Sequence, residues 1–206
     1  MRQKLTLVIF IGLVGVASAT FPLPRSYAEA YPAQELRAQE SPDEAKIREL
    51  REQEMTQLRI TLGRREGQNR RADLYFRFAE IYLEAYRSAY LLEGRVHDKR
   101  LAANVADSQI DHSYSRPNLE RGIKASEDIL KSGIPFDKLD QVHYFLAYNY
   151  GELGDRKKSL AYFEQIKNRF PQSPYAGVAL KELGDEAFAA RDFRRALELY
   201  EQGLLR

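Results

Sequence analysis

Three histidines, thirty carboxylates and one arginine-rich turn are the groups with which this 206-residue chain would do chemistry. His97, His112 and His143 have no second histidine at i+3 or i+4, and the His-Glu-x-x-His spacing that seats zinc on one helix face does not occur. The pairs His97-Asp98 and Asp111-His112 flank one polar segment, so they could meet in space and offer nitrogen and oxygen ligands. Those ligand types alone specify little, and solvent-exposed loop histidines are the expectation. No metal and no cofactor is assigned. The absence of cysteine excludes disulfides, thiolate metal sites, a cysteine nucleophile and a lipidated cysteine. Paired carboxylates for glycoside cleavage would need one acid with a raised pKa. No Asp or Glu is set apart in that way, because most recur at helical spacing and read as solvated faces. A phosphate-binding glycine loop and a serine nucleophile elbow are missing too. Gly63 to Arg71 carries Arg64, Arg65, Arg70 and Arg71, which could meet phosphate. Basic residues beside a helix C-terminus read first as a solvated loop. The expectation is a protein that is not an enzyme.

The elements that would position these groups are helices. Arg2 and Lys4 precede the apolar run Leu5–Ala17, and Ala17-Ser18-Ala19 offers a small-x-small cleavage pattern. This reads as a signal peptide over residues 1–19, too short for a comfortable span of ~20 apolar residues. Cleavage would leave 30 basic against 30 acidic residues, so overall charge supports neither a nucleic-acid nor an anionic-membrane partner. No later segment could span a bilayer. Residues 20–43 hold four prolines and read as an extended tether, with a short helix around Gln34 to Glu40. Ser41-Pro42-Asp43-Glu44 is a helix start, opening a charged helix within 44–66. Its thin apolar stripe suits a cap laid on the following helices, or a short coiled coil. Further helical patterns run from Ala72 to about Ala106, from about Asn118 to Lys131, and over 138–152, 156–169, 174–190 and 193–205. No strand pattern is present.

Two segments match when offset by 37 residues. The first holds Leu146-Ala147-Tyr148-Asn149-Tyr150, Gly154-Asp155, Ser159-Leu160, Phe163 and Phe170-Pro171. The second holds Leu183-Gly184, Arg191-Asp192-Phe193, Ala196-Leu197, Tyr200 and Gly203. Paired helices approach closely only where small residues face the neighbour, which Ala147, Gly184, Ser159 and Ala196 would supply. These residues resemble the tetratricopeptide repeat (TPR) family. Ala187 stands where that motif usually has an aromatic. A third copy is split: Leu74 to Tyr82 looks like a first helix, and Gly122-Ile123, Ile129 and Leu130 like its partner, across a long insertion. The Phe170 to Ala176 linker is similar to repeat boundaries in bacterial cell-envelope TPR proteins. The helix from Ala72-Asp73-Leu74 is similar, more narrowly, to those of myxobacteria, some assigned to adventurous gliding motility.

The resemblance implies an all-α fold: a TPR-like antiparallel helix-pair solenoid preceded by a signal peptide and a charged capping helix. Residues 71–206 would form it, as a degenerate repeat with insertion (71–135), a repeat (138–174) and a final, truncated repeat (175–206). The family's groove positions fall on Phe76, Glu80, Tyr144, Tyr148, Lys181, Asp185 and Phe188. The resemblance implies a periplasmic or secreted scaffold that binds a protein or peptide partner in an envelope-associated complex. Two alternatives stay open. One is a homo-oligomeric coiled-coil/TPR coupler for outer-membrane or cell-wall assembly. The other is the non-catalytic N-terminal part of a larger enzyme.

Overall fold

A computed structural model describes residues 31–64, 70–105 and 109–204. The signal-peptide segment 1–19, most of the tether and residues 65–69 of the arginine-rich turn lie outside the described residues. Every regular element described is a helix: α1 (Ala33–Arg37), α2 (Pro42–Gly63), α3 (Arg71–Ala102), α4 (Arg116–Ser132), α5 (Leu139–Glu152), α6 (Arg156–Arg169), α7 (Ala176–Ala189) and α8 (Phe193–Leu204). None is long and apolar enough to cross a membrane.

From α3 onward the helices pack in pairs, α3 on α4, α5 on α6 and α7 on α8. Contacts run in opposite directions along the two partners, so each pair is antiparallel. Gly151 meets Ser159 while His143, eight residues earlier, meets Phe170. Gly184 meets Tyr200, and Gly177 lies at Gly203. Small residues sit at the closest approaches: Ala147, Ser159 and Ala196 are each at most 2% exposed. A Cβ on Gly184 would overlap the Tyr200 ring.

The 37-residue offset is also written in the backbone. Gly154 (φ 81°) and Arg191 (φ 62°) occupy equivalent left-handed positions that close α5 and α7. In each turn the next amide donates to a carbonyl five residues back, Asp155 to Tyr150 and Asp192 to Ala187, both at 2.8 Å. Asp155 and Asp192 then cap the following helices, each accepting from the amide three residues on at 3.1 Å.

The core is a chain of overlapping clusters. One joins α3, α4 and α5 through Phe76, Leu83, Leu119, Ile123, Val142 and Leu146. The other joins α5 to α8 through Phe163, Ile166, Leu180, Leu183 and Leu199. Tyr162 touches both.

One expectation changes at the N-terminal end. Residues 31–40 are not a free tether where described. Leu36 is fully buried, with Tyr31, Leu92, Val96 and Tyr114 around it. The cause is the length of α3, whose last turns run past the start of α4 and leave Leu92 and Val96 to be covered. Arg100 pairs with Glu35 and lies over the Tyr31 ring, and Arg95 pairs with Glu44 at 2.7 Å. Helix α2 carries the Ser41–Glu44 capping box and has no fully buried residue. It lies along α3 with Met55, Leu58 and Leu62 against Phe78 and Ala79.

Candidate functional site

Helices α3 and α5 are not partners within a pair, and between them opens a cleft of about 250 Å³. From α3 come Glu80, Leu83, Glu84 and Arg87, at the i, i+3, i+4, i+7 spacing that shares one helix face. From α5 come Tyr144, Phe145, Tyr148 and Asn149. Leu83 and Phe145 supply the apolar floor.

The acidic groups here already have cations. Glu80 pairs with Arg77 at 3.2 Å, and Glu84 lies 3.6 Å from Arg51 of α2 and 3.7 Å from Arg77. Arg77 is held mainly by Glu54 through two hydrogen bonds of 2.6 and 2.9 Å. Arg87 is exposed and has no hydrogen-bond or ion-pair partner among the described residues. Asn149 is 2% exposed, and its Nδ2 is buried with no acceptor. Nearby, Tyr86 donates to Glu152 at 3.0 Å, and burial followed by that carboxylate pushes its phenol pKa up.

The groove residues read from the sequence divide among several environments. Glu80, Tyr144 and Tyr148 come together in this cleft. Tyr144 also stacks on Tyr175 at 4.4 Å, while Tyr148 is 48% exposed. Phe76 does not line the groove. It is a core residue, 4% exposed, stacked on Phe145 at 5.6 Å and tilted against Phe136 at 5.4 Å. The segment leading from α4 into α5 folds over it, and Lys138 covers its ring. Lys181, Asp185 and Phe188 lie farther along, on α7, and do not line the cleft. Asp185 accepts from Lys181 at 2.6 Å and from Tyr200 at 2.8 Å, and these bonds, Lys181 first, hold its carboxyl below the ordinary value. Phe188 and Phe193 form an exposed edge-to-face pair at 5.3 Å.

Sequence reasoning missed Leu83, Glu84, Arg87, Phe145 and Asn149. The readable signal was Asn149: an amide one residue before Tyr150, on a helix whose neighbouring positions are apolar.

The histidines also depart from expectation. His97 is buried, with Nδ1 2.9 Å from the Tyr31 hydroxyl. His143 is buried and donates from Nδ1 to the Leu139 carbonyl at 2.7 Å. His112 alone is partly exposed; it stacks on Tyr90 and meets Glu93 at 2.9 Å. The two His–Asp pairs therefore do not converge, and no group of three metal-ligating side chains occurs among the described residues. Glu93 is a carboxylate that nothing in its local sequence singles out. It is wholly buried, and its Oε1 accepts from the backbone amides of Tyr114 (2.9 Å) and Ser115 (2.8 Å). Its partners make it a brace at the start of α4.

No family model matches the chain, and no curated protein or solved structure matches it.

Proposed function

We propose that this chain is an exported TPR-type scaffold that holds a protein or peptide partner within an envelope-associated complex, and that it is not an enzyme. The observation that carries the reading is the cleft between α3 and α5. It places aromatic rings, an apolar floor and charges of both signs between consecutive helix pairs. That mixture suits a peptide or a partner helix, whose side chains alternate in character and whose backbone needs hydrogen-bond partners. The repeated helix pairs support the TPR assignment, since the small-residue contacts, positive-φ turns and aspartate caps recur at the same 37-residue offset as the sequence match. The basic-then-apolar start with Ala17-Ser18-Ala19 supports a periplasmic or secreted location. Participation in gliding motility is the narrower form of the proposal.

The test is site-specific photocrosslinking in living cells. A photoreactive residue at Tyr148 should give one discrete adduct, and the same probe at Arg194, on the outer surface of α8, should give none. No adduct at Tyr148, or equal labelling at both positions, would discard the scaffold reading of this face. Fractionation of the same cells tests the location, since retention of the protein in the cytoplasm refutes export.

A further inference from the structure

We propose that the outer face of the second half of α3 is a self-association surface, on which a second copy of this chain packs antiparallel through the same residues. This half of the helix lies beyond the repeat-like segment Leu74 to Tyr82. Arg87, Leu91, Gly94, Asp98 and Leu101 recur at i, i+4, i+7, i+11 and i+14, so they share one side of α3. That side points away from Leu92 and Val96, which are buried against Tyr31 and Leu36. Nothing within the chain accounts for what stands there. Leu91 is 60% exposed and Leu101 50%. Gly94 occupies the interior of a 32-residue helix, where glycine is costly, yet a Cβ at that position would meet nothing within 4 Å. Arg87 and Asp98 are exposed, and neither has a hydrogen-bond or ion-pair partner among the described residues. An antiparallel second copy answers all of these together. With the two-fold axis between Leu91 and Gly94, Leu91 of each copy seats over Gly94 of the other, where the missing side chain lets the helices approach closely. The same register sets Arg87 of each copy opposite Asp98 of the other, in two ion pairs about 16 Å apart along the helix. The face is therefore complementary to itself in charge as well as in shape. A parallel pairing would oppose Arg87 to Arg87 and Asp98 to Asp98, which selects the antiparallel one. The stripe is about 21 Å long, so the contact falls at the small end of specific interfaces and the dimer forms in the micromolar range.

Charge reversal tests this surface. Sedimentation velocity of the full mature chain, over loadings of roughly 1 to 500 µM, should show a monomer passing to a dimer. Arg87→Asp and Asp98→Arg each set like charges opposite one another twice in the dimer. Each alone should weaken association about tenfold or more. Mixing the two single variants in equal amounts gives every reversed charge an opposite partner, so the mixture should dimerise as wild type does. The chain carrying both changes should do the same. Gly94→Gln fills the gap at the crossing and should abolish the dimer. It should leave Tm at or above the wild-type value, because its side chain meets nothing in the single chain and glutamine favours helix. A monomer at every loading, single variants that associate as tightly as wild type, or a mixture no heavier than its components would each overturn the proposal. So would a dimer indifferent to Gly94→Gln.

Discussion

Replacing Glu93 tests how the long helix α3 holds the start of α4. Helix α4 begins at Arg116 after an N-cap, Ser115, whose side chain makes no capping hydrogen bond. The opening amides of a helix need acceptors, and its N-terminus favours negative charge. Glu93 answers both needs from the neighbouring helix, taking the Tyr114 and Ser115 amides on Oε1 and His112 on Oε2. Glu93→Ala would leave the fully buried Ser115 amide without its acceptor and remove the Tyr114 bond as well. Orphaning a buried amide costs about 1–3 kcal/mol, and loss of bonds to a charged acceptor adds to it, while the carboxylate's own desolvation penalty disappears. The balance is a loss of about 3 kcal/mol, or roughly 6–12 °C in Tm for a domain of this size. Glu93→Gln keeps an oxygen for the two amides, so its loss should be about 1 kcal/mol. Urea unfolding of the three proteins measures the difference. Hydrogen exchange locates it, with the Ser115 amide losing protection in Glu93→Ala. An alanine variant within about 1 kcal/mol of wild type, or a glutamine variant as damaged as alanine, would refute the capping account.

Three further outcomes follow from the packing. Gly184→Ala should destabilise by about 1–3 kcal/mol because its Cβ overlaps the Tyr200 ring, yet stabilise by about 0.5–1 kcal/mol in a Tyr200→Ala background, where only helix propensity remains; thermal melts of this double-mutant cycle read the change of sign. Arg191→Gly relieves a side chain held at φ 62°, where Gly154 stands in the equivalent turn, and should gain about 0.5–1 kcal/mol by chemical denaturation. Burial pushes the His143 pKa below its ordinary 6.5, opposed in part by the bond to Leu139. The folded state therefore favours the neutral ring, and this stability is present above pH 6.5 and lost as pH falls below it. Between pH 7 and 5 the Tm of wild type should drop more steeply than that of His143→Phe, and parallel curves would remove the assignment.

What was legible in the sequence, and what was not, divides along the range of the interactions involved. The capping box at Ser41 and Glu44, the aspartates at 155 and 192 and the small residues at 147 and 184 are local signals. Each acts within a turn or at a repeated helix contact, so each could be read from neighbours a few positions away. Phe76 was misplaced because one aromatic on a helix face serves equally as groove or core. Its fate was decided by Phe136 and Phe145, sixty or more residues along the chain. Glu93 and His97 were invisible for the same reason, since their partners lie 21 or 22 and 66 residues away. The half of α3 beyond the first repeat-like segment looked like an insertion because its apolar residues match nothing in the repeat. Leu92 and Val96 make sense only once Tyr31 and Leu36 lie against them. The candidate cleft inherits this division. Its aromatics Tyr144 and Tyr148 follow the repeat and could be named in advance, and Asn149 beside them was readable as an amide among apolar neighbours, whereas Arg87 joins them only because the long helix α3 passes across α5.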